Sequence, residues 1–77
     1  MNKRTKEFIV AIQNKKPVYG NTNLHAFVKG MKAIEPGFKM RATLKKDLDL
    51  HNFSYFINDA GEVYEIYRYE NPGYQKG

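Results

Sequence analysis

Apolar positions recur along the chain with two different periods, and the change of period separates helical stretches from extended ones. Leu24, Phe27, Val28, Met31 and Ile34 follow one another at helical spacing, which sets them along one stripe of an α-helix. Asn21, Thr22 and Asn23 stand before that stripe as N-cap candidates. Lys29 falls opposite the stripe and Lys32 on its flank, so this helix has a buried and a solvated side. Glu35-Pro36-Gly37 ends it with a breaker and a turn residue. Gly30 lies inside it at a cost of about 1 kcal/mol relative to alanine; it either weakens the helix or lets another backbone come close.

Upstream, Phe8, Ile9 and Ile12 share a helical face across Thr5 to Asn14, with Thr5 as N-cap and Lys15 and Lys16 beside the negative end of the dipole. The unbroken run from Phe8 to Ile12 also fits a fully buried strand, but the spacing is read as a first helix. Pro17 stops it, and Pro17-Val18-Tyr19-Gly20 leaves room for a brief extended segment. Lys39 to Leu50 has two readings. Phe38, Met40, Ala42 and Leu44 alternate with polar residues as in a half-buried strand, whereas Met40, Leu44 and Leu48 recur every four residues. The alternation breaks at Lys46 and the residues are good helix formers, so a helix over residues 39–50 is expected. Phe53 to Ile57 and Val63 to Tyr69 are rich in aromatic and β-branched residues, and Asn58-Asp59-Ala60-Gly61 supplies the turn of a β-hairpin. Asn71-Pro72-Gly73 closes the second strand, and residues 71–77 are expected to form a flexible tail.

Helix, short extended segment, helix, turn, helix and hairpin is the element order of the winged helix-turn-helix family, which this chain resembles over nearly its whole length. Ala42-Thr43-Leu44-Lys45-Lys46-Asp47-Leu48, running on through Phe53-Ser54-Tyr55 into Asp59-Ala60-Gly61-Glu62-Val63-Tyr64, looks like a recognition helix feeding a two-stranded wing. The resemblance implies an α+β fold, one domain over residues 1–77 with three helices and a C-terminal β-hairpin wing. It also implies that helix 39–50 enters the major groove of double-stranded DNA while the start of the preceding helix touches phosphates. Lys39, Ala42, Thr43, Lys45 and Lys46 would then meet the DNA, and Asn21, Thr22 and Asn23 its backbone. Met40, Leu44 and Leu48 would face inward, with Arg41 nearer the buried side. The hairpin departs from the family pattern, because Asp59 and Glu62 at its tip would be repelled by phosphate. Its exposed tyrosines suit a protein partner instead.

Charge supports the first half of this picture. The net charge is +5 over 77 residues, yet Met1 to Lys46 holds eleven Lys and Arg against two acids, a local +9, while Asp47 to Gly77 carries −4. A basic half of this kind suits a polyanion-facing surface. A hydrophobic fraction of 42% with 11 aromatic residues is enough for one small core. Cysteine is absent, which rules out disulfides and thiolate ligands and fits a reducing, cytoplasmic setting. The longest apolar run, Phe8 to Ile12, is too short to span a membrane or form a signal-peptide core.

Two histidines and one serine leave no nucleophilic or acid–base constellation, so no enzyme, cofactor or metal is expected. Asp47, Asp49 and His51 would share a face, and could hold a hard cation, only if that segment were extended. The expected function is that of a small DNA-binding transcriptional regulator or DNA-architectural factor, with a homodimer multiplying its contacts. The alternative is a protein-binding module, an inhibitor or adaptor of a larger complex, acting through the hairpin. RNA binding, by bases stacking on strand aromatics, is a third reading.

Overall fold

The computed structural model describes residues 7–70. Two layers make up the fold: a four-stranded antiparallel sheet, and two helices lying together on one of its faces. In chain order the elements are β1 (Glu7–Gln13), β2 (Lys16–Asn21), α1 (Leu24–Ile34), α2 (Arg41–His51), β3 (Phe53–Ile57) and β4 (Val63–Glu70). The strands stand in the order β2-β1-β4-β3, so the first and last strands pair in the middle and each hairpin extends the sheet outward.

This architecture overturns the winged helix-turn-helix expectation. The described chain has two helices and four strands, not three helices and a two-stranded wing. The error lies in the segment from Thr5 to Asn14, which was expected to be helical and instead contains β1. Thr5 itself, like the expected tail over residues 71–77, lies outside the described residues. As a central strand β1 has neighbours on both edges, and apolar side chains alternate onto both of its faces. Ile9 and Ala11 are fully buried beneath the helices, while Phe8, Val10 and Ile12 point to the opposite side. A strand apolar on both faces has no period of two to detect. Lys15 and Lys16 therefore do not follow a helix end. Asn14 and Lys15 both adopt positive φ, 56° and 65°, and form the two-residue turn that joins β1 to β2 with Gln13 opposite Lys16.

The other elements agree with their sequence patterns. Phe27, Val28 and Met31 of the α1 stripe are buried, and Asn23 caps the helix by accepting the Ala26 N–H at 2.9 Å. Segment 39–50 is helical, but α2 begins only at Arg41, so Met40 caps it in extended conformation and is 67% exposed rather than inward-facing. Leu44 and Leu48 carry the buried side of α2. The β3–β4 turn is held by Asn58, whose Oδ1 accepts the N–H groups of Ala60 and Glu62, and Gly61 takes φ of 83°. Gly30 turns out to admit a side chain rather than a backbone: a Cβ there would fall 2.2 Å from the Tyr19 hydroxyl oxygen.

Aromatic rings bind the two layers together. Tyr19, Phe27, Phe38, Phe56 and Tyr64 form a row across the core with successive centroids 5.2 to 6.3 Å apart, within the range of favourable ring pairs. Arg68, on the helix-facing side of β4, fixes the C-terminal end of α2. Its Nη2 donates to the Leu48 carbonyl at 2.9 Å, its Nε to Asn52 Oδ1 at 2.9 Å and its Nη1 to Asp49 at 3.1 Å. Among the described residues, no helix is long and apolar enough to cross a membrane.

Candidate nucleic-acid interface

The outer surface of the helical layer collects cations. On α1, His25, Lys29 and Lys32 sit at intervals of four and three, one row on the solvent side of the helix, because the stripe through Phe27, Val28 and Met31 takes up the other side. Arg41, in the first turn of α2, comes up beside that row. Together with Val28 these four side chains line a shallow cleft of about 270 Å³ between the helices. One residue further on, Ala42 begins a second open surface on α2, shared with Lys45, Lys46, Asp49 and Leu50. The first turn of α2 contributes to both, Arg41 to the cleft and Ala42 to the second surface.

What matters for a polyanion is how much of this charge is already neutralised. Lys45 reaches Asp49 at 2.7 Å one helical turn away, and that hydrogen bond, with help from Arg68, holds the Asp49 carboxyl below its ordinary range. Lys29, Lys32, Arg41 and Lys46 have no carboxylate within ion-pair distance among the described residues. Acids elsewhere are engaged or distant. Glu35, at the end of α1, accepts the Tyr64 hydroxyl at 2.6 Å and the Asn58 amide at 3.0 Å, which lowers its pKa. Asp59 and Glu62 lie at the β3–β4 turn and Glu65 on the opposite side of the sheet.

The residues singled out from sequence divide into two groups. Ala42, Thr43, Lys45 and Lys46 are all exposed on α2, and three of them line its outer surface. Lys39 is elsewhere, on the loop before α2, where its side chain is 19% exposed and folds back to the β3 edge. Its Nζ donates to Asp47 at 2.7 Å, to Ser54 Oγ at 2.8 Å and to the Tyr55 carbonyl at 3.1 Å. The same contacts, Lys39 first and Ser54 second, pull the Asp47 carboxyl down. Asn23 serves as the α1 cap, and Asn21 accepts the N–H groups of Thr22 and Asn23 while donating to the Tyr19 hydroxyl oxygen at 3.2 Å. Thr22 is exposed beside them.

Sequence reasoning overlooked His25 and Arg41 as parts of such a surface and treated Lys29 and Lys32 as ordinary solvated positions. The spacing of His25, Lys29 and Lys32 was legible. The approach of Arg41, expected nearer the buried side, depends on how α2 crosses α1. Because α2 is helical, Asp47 and Asp49 diverge, one toward Lys39 and the other toward Lys45 and Arg68, so the cation site that an extended segment would make does not form. No protein-family model, curated protein or solved structure matches this chain.

Proposed function

We propose that the protein binds double-stranded DNA through the outer face of its two helices, as a small regulator or architectural factor. The observation that carries this reading is the concentration of four exposed, uncompensated cations on the helical layer: Lys29, Lys32 and Arg41 around one cleft and Lys46 on the neighbouring surface of α2. In this reading the α1 row and Arg41 neutralise phosphates along the cleft. Helix α2 lies toward the major groove with Ala42 and Thr43 nearest the bases, where a methyl and a hydroxyl can meet a thymine methyl or a base edge. Lys46 adds a fourth phosphate contact, while Lys45 stays paired with Asp49. Because lysine contacts to phosphate position a protein without reading sequence, affinity should depend on salt more than on the duplex chosen. The absence of cysteine fits the same cytoplasmic setting.

Fluorescence anisotropy with a labelled duplex tests it. Four phosphate contacts give a slope of about −4 in log K against log salt, and Lys29→Ala combined with Lys32→Ala should reduce its magnitude by about two. Absence of binding at low salt, or binding indifferent to salt, refutes the reading.

A second reading, a protein-binding module acting as an inhibitor or adaptor, rests on a different observation. The hairpin strands set Tyr55, Ile57, Val63 and Tyr69 on the sheet face away from the helices, each about half exposed.

A further inference from the structure

The sheet has one face covered by helices and one with no cover among the described residues. Alternation along the paired strands sends Phe8, Val10 and Ile12 of β1, Phe53, Tyr55 and Ile57 of β3, and Val63, Glu65, Tyr67 and Tyr69 of β4 to that open face. Its rings touch one another: Phe53 and Tyr67 are 5.1 Å apart, and Tyr67 and Tyr69 stack at 6.2 Å. Glu65 is the one charged side chain in this set, and its carboxylate accepts the Tyr67 hydroxyl at 3.1 Å. Cations reach this face at its rim, where Lys39 Nζ, already paired with Asp47, lies 5.6 Å from the Tyr55 ring centroid and Lys15 lines a cleft with Ile12, Val63 and Glu65. The strand positions just named add no basic side chain, so the face lacks the basic groove that tracks a nucleic-acid backbone beside stacking rings.

We propose that this open face is where a second copy of the chain docks, sheet against sheet. The area fits. Phe8, Tyr55, Ile57, Val63 and Tyr69 are 43 to 55% exposed, and with side chains of this size the face offers on the order of 600 Å² of apolar surface. That equals the largest patch a typical monomer leaves uncovered, about 300–600 Å², and approaches the roughly 800 Å² per partner of a stable interface. The flanking segments are poor material for a cover: residues 1–6 contain Lys3, Arg4 and Lys6 with Met1 as their single apolar side chain, and residues 71–77 offer Tyr74 among polar, Gly and Pro positions. Edge pairing is also disfavoured. Pro17 removes a donor from the β2 edge, and on the β3 edge the Tyr55 carbonyl already accepts from Lys39. Face-to-face stacking, with sheets about 10 Å apart, is what remains. A two-fold pair built this way presents its helical layers in opposite directions. If those layers bind duplex DNA, a clause that rests on the function proposed above, the pair joins two duplexes instead of reading two half-sites on one.

Sedimentation equilibrium of the full chain, from low micromolar to submillimolar concentration, should show a mass rising to twice the 9.0 kDa of one chain. Tyr55→Lys or Ile57→Lys should weaken the pair at least about tenfold with an unchanged circular dichroism spectrum. Should either variant fail to fold, NMR of the wild-type chain on dilution gives the same information: signals of Tyr55, Val63 and Tyr69 shift while those of Lys29, Lys32 and Arg41 stay. A chain that stays monomeric throughout, a pair that survives in a folded Tyr55→Lys variant, or dilution shifts confined to helices or sheet edges overturns the proposal. A pair that forms without any DNA affinity upholds the docking and removes only the joining of two duplexes.

Discussion

Replacing Gly30 with alanine sets two opposed effects against each other at one site. In an exposed helix interior the change stabilises by about 1 kcal/mol, because alanine is the better helix former. Here the added Cβ would lie 2.2 Å from the Tyr19 hydroxyl oxygen and 2.3 Å from the ring carbon that bears it, where non-bonded atoms need about 3.5–4.0 Å. The ring has little freedom to yield: it lies 5.6 Å from the Phe27 ring, and its oxygen accepts from Asn21. Pushing it outward forfeits much of what a buried aromatic contributes, about 2–3 kcal/mol for a ring that is already part-exposed. The net expectation for Gly30→Ala is a loss of about 1–2 kcal/mol, which lowers a urea midpoint by on the order of 1 M. In a Tyr19→Ala background the obstacle is gone and the same change should stabilise by about 1 kcal/mol, a coupling energy of about 2–3 kcal/mol. Tyr19→Phe is the control, since it keeps the ring carbon in place and the loss should persist. A Gly30→Ala effect of the same sign in the wild-type and Tyr19→Ala backgrounds would refute the steric argument.

Three further outcomes are expected. Arg68→Ala should cost about 2–3 kcal/mol, because it withdraws a charged fork from the Leu48 carbonyl and Asn52. Arg68→Lys should recover only part of this, since an ammonium cannot reproduce the fork; equal midpoints for Arg68→Ala and wild type in urea would exclude the clamp. In alkali, the hydrogen bond to Glu35 and burial push Tyr64 from 10.0 up to about 12, so its contribution is complete below pH 10 and disappears as pH rises through 12. Thermal melts of Tyr64→Phe should lack that alkaline component. In acid the sign reverses: Glu35, Asp47 and Asp49 have lowered pKa values, so their contribution is present above the ordinary carboxylate range and is lost as pH falls through the depressed values. Melts between pH 6 and pH 2 read this directly, and Asp47→Asn should flatten part of the slope.

The fold was legible wherever one side of an element is apolar and the other polar. The α1 stripe is of this kind; the Phe53–Ile57 and Val63–Tyr69 hairpin, apolar on both faces, was legible instead from its β-branched and aromatic residues flanking the Asn58–Gly61 turn. The fold was hidden where both sides are apolar and no glycine turn announces the strand. Residues Phe8 to Ile12 satisfy a helix template through Phe8, Ile9 and Ile12, and with Val10 and Ala11 apolar as well no alternation marks a strand; the open sheet face that lets all five be apolar cannot be inferred from the segment itself. The turn at Asn14-Lys15 was missed for a related reason: two consecutive residues take left-handed backbone there without the glycine that usually announces it. A single misassigned segment then turned a four-stranded sheet into a three-helix body. The basic surface shows the same division. Lys45 and Lys46 follow from helical spacing, whereas Lys39 was misplaced because its partners, Asp47, Ser54 and the Tyr55 carbonyl, come from two later elements.

The sheet order has a consequence for how this protein is made. Glu7 pairs with Glu70, and β1 meets its second neighbour only in β4. A nascent chain that has released β1, β2 and α1 holds a lone hairpin and a helix, with Ile9 and Ala11 still open to water. The enclosing residues Tyr64 and Ile66 arrive with β4, so folding should wait for that strand and then proceed in a single step at a pace set by joining segments distant in sequence.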